Sequence, residues 1–149
     1  MRRQSLFVGL GSSHGDDQIG WRVAEQLESR VGPKIAVHRA ATPGDLLNWL
    51  DCVSWLGLCD ACLADAPPGT VLEWEWPTAM IERVRFAGSH DLTLPAVLEI
   101  AAQLGRLPPA VTIWGVVIPG ATLGESLSPM LTAAVPGLVE RIAGEISHA

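Results

Sequence analysis

The chain has 149 residues, of which 48% are hydrophobic and 17% charged, and it carries a formal net charge of −6. That balance excludes a disordered segment. With no basic cluster beyond Arg2–Arg3, it also argues against a nucleic-acid partner, whose phosphates require concentrated positive charge.

The length suits one domain over residues 1–149. No stretch reaches the roughly 20 apolar residues of a membrane span. The first apolar run, Ser5–Leu10, is interrupted by Gly9 and is shorter than the core of a signal peptide. Three cysteines, Cys52, Cys59 and Cys62, are an odd number and too few for a disulfide framework. The expected location is therefore cytoplasmic.

In chain order, residues 5–10 read as a buried first strand running into the glycine-rich turn Gly9-Leu10-Gly11-Ser12-Ser13-His14-Gly15-Asp16-Asp17. Ile19, Val23, Leu27 and Val31 then recur at helical spacing, and Gly32-Pro33 ends that helix. Ile35–His38 is a short strand. Thr42-Pro43-Gly44-Asp45 opens a second helix, with Thr42 as N-cap and proline at the first helical position. Val53–Cys62 is the longest apolar run and is expected to be a central strand. Ala66–Thr70 is a turn and Val71–Trp76 a strand. Thr93-Leu94-Pro95 opens a helix that Gly105 closes, and Val111–Ile118 is another buried strand. Ser128-Pro129 starts the C-terminal helical region, which Pro136 is expected to split because proline lacks the N–H a helix interior needs. Alternating strands and helices predict an α/β fold with three α/β/α layers around a mostly parallel sheet of about five strands.

Ligands of open α/β sheets bind beyond the carboxyl ends of the strands, near a switch in strand order. Asp16 and Asp17 follow the first strand, Asp60 lies in the tail of the central one, and Ser89-His90 precede the Thr93 helix. Asp60 carries the most information, because a carboxylate in the apolar run Leu56–Cys62 needs a cation, a metal or strong donors. Capping of neighbouring backbone amides explains it equally well. Asp16 and Asp17 read singly as helix-start acids, and a lone histidine is usually structural. Convergence of two carboxylates and an imidazole would instead suit Zn²⁺, Ni²⁺ or Mn²⁺, and ligand type alone does not choose among them. A dinucleotide site fits poorly: the fingerprint wants a glycine where this chain has His14, and two acids at the helix start repel a pyrophosphate. Cys59 and Cys62 lie in a strand rather than at a helix start, and alternation sends them to opposite faces, so they read as buried apolar residues.

Taken in order, four segments resemble the NiFe-hydrogenase maturation endopeptidases: Gly9-Leu10-Gly11 with Asp16-Asp17-Gln18-Ile19-Gly20, Asp60-Ala61 with Pro67-Pro68-Gly69-Thr70, Ser89-His90 with the helix to Gly105-Arg106-Leu107-Pro108, and Trp114-Gly115-Val116 with Gly124–Pro129. The resemblance implies a peptidase that removes a C-terminal extension from a nickel-loaded hydrogenase large-subunit precursor. It implies a catalytic and metal-recognising set of Asp17, Asp60 and His90, supported by Gly11, Asp16, Ser89 and Thr42. The nickel would belong to the substrate, with zinc or cadmium able to substitute in crystals. A non-catalytic, metal-dependent maturation chaperone would use the same ligands. The chain departs from the family at Ser12, usually Asn, in a Gly11–Asp16 loop one residue short, and at Arg39, near which the family usually carries an acid.

Overall fold

A computed structural model describes residues 4–33, 35–87, 92–120 and 126–146. Six strands and three α-helices follow one another as β1 (Gln4–Leu10), α1 (Ile19–Arg30), β2 (Ile35–Ala40), β3 (Val53–Leu63), β4 (Val71–Glu75), β5 (Arg85–Phe86), α2 (Leu94–Gln103), β6 (Ala110–Val117) and α3 (Pro129–Ile146). The sheet order is β2-β1-β3-β6-β4, with β5 pairing β3 off that path. The β1–β2, β1–β3 and β3–β6 pairs are parallel, whereas β4 joins β6 antiparallel. The expected three-layer, mostly parallel sheet is therefore present.

Two apolar layers cover the sheet. On one face α1 and α3 pack Ile19, Val23, Leu27, Leu131, Val135 and Ile142 against Phe7, Cys59 and Trp114. On the other, α2 packs Leu94, Val97, Leu98 and Ala101 against Leu6, Val8, Leu56 and Leu58. Helices on opposite faces put the switch in strand order between β1 and β3. Trp74 and Trp76 pack against the α2-side core, half-buried.

Two expectations change. The Thr42 segment is a 3-10 helix, Pro43–Asn48, although the expected start signals are in place: Thr42 and Asp45 form a reciprocal capping box. Its six residues end at Asn48, and Trp49, at φ −125° and ψ 3°, leaves helical geometry there. Pro136 does not split the C-terminal helix, which runs unbroken from Pro129 to Ile146. Pro136 points to solvent, so the lost bond falls on the wet side, while Leu131, Val135, Leu138, Val139, Ile142 and Ile146 keep a continuous buried stripe on the other. Burial along that stripe outweighs one missing hydrogen bond.

Candidate functional site

The turn after β1 is drawn tightly onto the sheet by three glycines. A Cβ on Gly9 would collide with the Gly20 carbonyl, one on Gly11 with the Asp17 carbonyl, and one on Gly20 with the Leu10 carbonyl and, at 2.6 Å, the Cys59 carbonyl. Backbone lies on backbone here, an approach that any side chain would block. Residues 15–18 form a 3-10 turn before α1, Gly15 adopting φ 50° to start it. The Ser12 amide donates to the Asp17 carbonyl at 3.3 Å, and the Asp17 amide donates to the His14 carbonyl at 3.1 Å. The one-residue-short loop is thus closed by its own backbone.

Gly20 touches the residue before Asp60, and Asp17 stands one turn upstream of Gly20. The two expected carboxylates therefore meet at the β1–β3 switch point. Asp60 is only 4% exposed, whereas Asp17 is half-buried. Burial first, and the Asp17 carboxylate second, hold the Asp60 carboxyl well above its ordinary range; a hydrogen bond from the Ala61 N–H opposes them. A buried carboxyl raised in this way beside a second carboxylate suits a cation or a shared proton.

The neighbouring acid has a different task. Asp16 is fully buried and accepts hydrogen bonds from the Ser128 N–H at 2.7 Å and from the Ser128 hydroxyl at 2.6 Å. It ties the turn to the start of α3. Ser128 was legible as a helix-start residue, but its role as anchor for Asp16 has no local signal, the two being 112 positions apart.

His90 and Ser89 lie outside the described residues, as does the Gly124-Glu125 part of the last motif. Among the described residues no group of three His, Cys, Asp or Glu side chains is placed to hold a metal ion. Asp17 and Asp60 are thus the portion of the expected ligand set that the structure brings together. β5 runs antiparallel to the end of β3, pairing Phe86 with Cys62, and Ala87 then donates to the Ala61 carbonyl at 2.8 Å.

Thr42 caps its 3-10 helix through the reciprocal bonds with Asp45, and this accounts for it structurally. Arg39 pairs with Glu25 at 3.0 Å and lies over the Trp21 ring, 5.3 Å from its centroid. The cysteines behave as expected of buried apolar residues. Both are free and buried; burial, then Asp60, pushes the Cys62 thiol up to about 12, and Cys59 is raised further still.

The fold and site together define an α/β protein with paired carboxylates at the switch point of a parallel sheet. Among solved structures it is similar to the hydrogenase maturating endopeptidase HybD from E. coli, with TM-score 0.83 and 21% identity over 97% of this chain and 93% of that one. It is similar also to the NiFe-hydrogenase maturation protease HybD from Thermococcus kodakarensis, with TM-score 0.77 and 23% identity over 96% and 98%. A hydrogenase 2 maturation peptidase from a Thaumarchaeota archaeon gives TM-score 0.70 and 22% identity over 97% and 98%. At these identities the likeness is one of fold. No protein-family profile and no curated protein matches the sequence.

Proposed function

We propose that this protein is an endopeptidase that removes the C-terminal extension of a nickel-loaded NiFe-hydrogenase large-subunit precursor. The observation that carries the reading is the meeting of Asp17 with the buried Asp60 at the switch point of a fold shared, nearly end to end, with proteins named as hydrogenase maturation endopeptidases and proteases. Asp17 and Asp60 supply two carboxylates, and His90 is the proposed third ligand, four residues before the N-terminus of α2.

In this reading the metal arrives with the substrate. Two acids and an imidazole fit a divalent borderline ion, and a cation brought between Asp17 and Asp60 would offset the burial and the Asp17 repulsion that together raise the Asp60 carboxyl. A carboxylate at this position can then orient a water toward the scissile carbonyl, acting as a general base within hydrogen-bond reach. Asp16, held by the Ser128 N–H and hydroxyl, acts as a positioning residue.

The test is a gel-mobility assay of purified precursor, nickel-loaded and nickel-free. Cleavage is expected only with nickel, and Asp60→Asn, Asp17→Asn and His90→Ala should each abolish it while remaining folded. Equal cutting of nickel-free precursor, or full activity in Asp60→Asn, sinks the metal-recognition mechanism. Tight, metal-dependent binding of every loaded precursor without any cleavage would make the protein a maturation chaperone instead.

A further inference from the structure

We propose that the outer edge of β2 is a docking strand that takes the extended tail of the substrate by strand addition. The inference rests on the endopeptidase reading and deepens it.

β2 ends the sheet, and among the described residues no strand pairs with its outer side. The Ala40 carbonyl accepts from the Gly11 N–H at 3.1 Å, so Ala40 presents its backbone groups to β1. By the alternation of a strand, Ala36 and His38 do likewise, and Val37 and Arg39 turn theirs outward, while the Ile35 N–H already donates to the Gly32 carbonyl at 3.4 Å. β2 lies in unbroken register with β1 from Ile35 to Ala40, without bulge or proline. Exposed edges are ordinarily blunted by charge, bulges or proline. The opposite edge, β4, carries Glu73 and Glu75, with Pro77 just beyond. The charge on β2 is Arg39, already tied to Glu25. An edge left straight and lightly charged is suited to a peptide backbone.

Both faces of this edge end in a ring platform. On the α2 side His38 stacks flat on Trp49, with centroids 4.6 Å apart and planes 1° from parallel. On the α1 side Arg39 lies over Trp21, whose indole N–H holds the Ala40 carbonyl at 3.0 Å. His38, Trp49 and Trp21 are half-buried and Arg39 is exposed. A peptide laid along β2 sends alternate side chains to the two faces, and each set finds a ring. Strand addition draws affinity from main-chain bonds and specificity from such alternating contacts, which here favour apolar or aromatic side chains.

The edge also lies at the right height. Leu10 is level with Ala40, and Gly9 is level with Cys59, so the tip of β2 and Asp60 share the carboxyl end of the sheet. At about 4.8 Å per strand, a strand added outside β2 runs roughly 14 Å from β3. Four or five extended residues, at ~3.3 Å each, cover that distance. One tail can therefore pair with β2 and still present a peptide bond to Asp17 and Asp60.

Val37→Pro removes an outward N–H and leaves the bonds from β2 to β1 in place. With a loaded precursor that the wild type cuts, KM should rise about tenfold with kcat little changed, and Val37→Ala should show a clearly smaller rise. Independently, amide hydrogen exchange on the wild-type protein, with a peptide of the extension, should slow at Val37 and Arg39 and not along β4. Unchanged KM in folded Val37→Pro, or no slowing at those two amides, overturns the docking strand and leaves the endopeptidase reading standing. Slowing that tracks protein concentration without peptide also overturns it, in favour of pairing with a second copy. If the wild type cuts no loaded precursor, the endopeptidase reading falls, and the peptide exchange measurement still decides the edge.

Discussion

Asp60 is held in a place that suits its charge badly. In the unfolded chain it ionises near ~3.9; in the fold, burial and Asp17 raise that value. Between the two values the folded state keeps a proton that the unfolded state has lost, so rising pH through this window removes stability. Asp60→Asn abolishes the effect. Its melting temperature should exceed that of the wild type at pH 7, and the gap should close as pH falls toward about 4. Calorimetry across that range checks it, and a gap independent of pH would show that the carboxyl is not strained. The thiols next to it lead to the opposite expectation. Both are raised by burial and by Asp60 itself, so little thiolate exists at neutral pH to attack a carbonyl. Cys59→Ser with Cys62→Ala should leave processing within a few-fold and cost some stability. Loss of cleavage in the folded double variant would return a thiol to the chemistry. Asp60 was legible in the sequence because an acid inside an apolar run is costly wherever it lies. The division of labour between Asp16 and Asp17 was not, since the two share one motif and only the partner across the fold separates them.

The contact between α1 and the sheet decides where Asp17 stands. Alanine exceeds glycine in helix propensity by about 1 kcal/mol, yet at Gly20 its methyl would meet the Leu10 and Cys59 carbonyls. Overpacking against rigid backbone costs about 1–3 kcal/mol or more, so Gly20→Ala should destabilise and, by lifting the start of α1, reduce processing further than its stability loss explains. Urea denaturation beside the cleavage assay measures both, and a stabilised variant would contradict the close packing. Pro136 behaves in the opposite sense. It sits exposed within a continuous helix, so Pro136→Ala should gain up to about 3 kcal/mol, a gain that a broken helix would not show. The strands β1, β3 and β6 were legible to within a residue or two, since runs buried on both faces read plainly as such. The 3-10 turns were not, because capping signals mark where a helix begins and say little about how it winds. The two-residue β5 is too short for any periodicity to reveal.

At the scale of the molecule, each face of the sheet has its own core, and β1 and β3 contribute to both. Leu98→Ala on one side and Leu131→Ala on the other, both fully buried, should each cost about 2–5 kcal/mol. Because the strands between them are shared, denaturation followed by tryptophan fluorescence and by circular dichroism should coincide in one transition for either variant. Separate transitions would mean that the two layers fold independently. The bond from Asp16 to Ser128 joins the first turn of the chain to the start of its last helix. All three proposed ligands have been translated by residue 90, yet β3 has no β6 beside it until about residue 117, and Asp16 has no Ser128 until later still. A nascent chain on the ribosome thus carries every ligand long before it can hold them in place. Competence at the proposed site should therefore switch on only once the start of α3 has emerged, which keeps the site open and unformed while the strands before it are still being made.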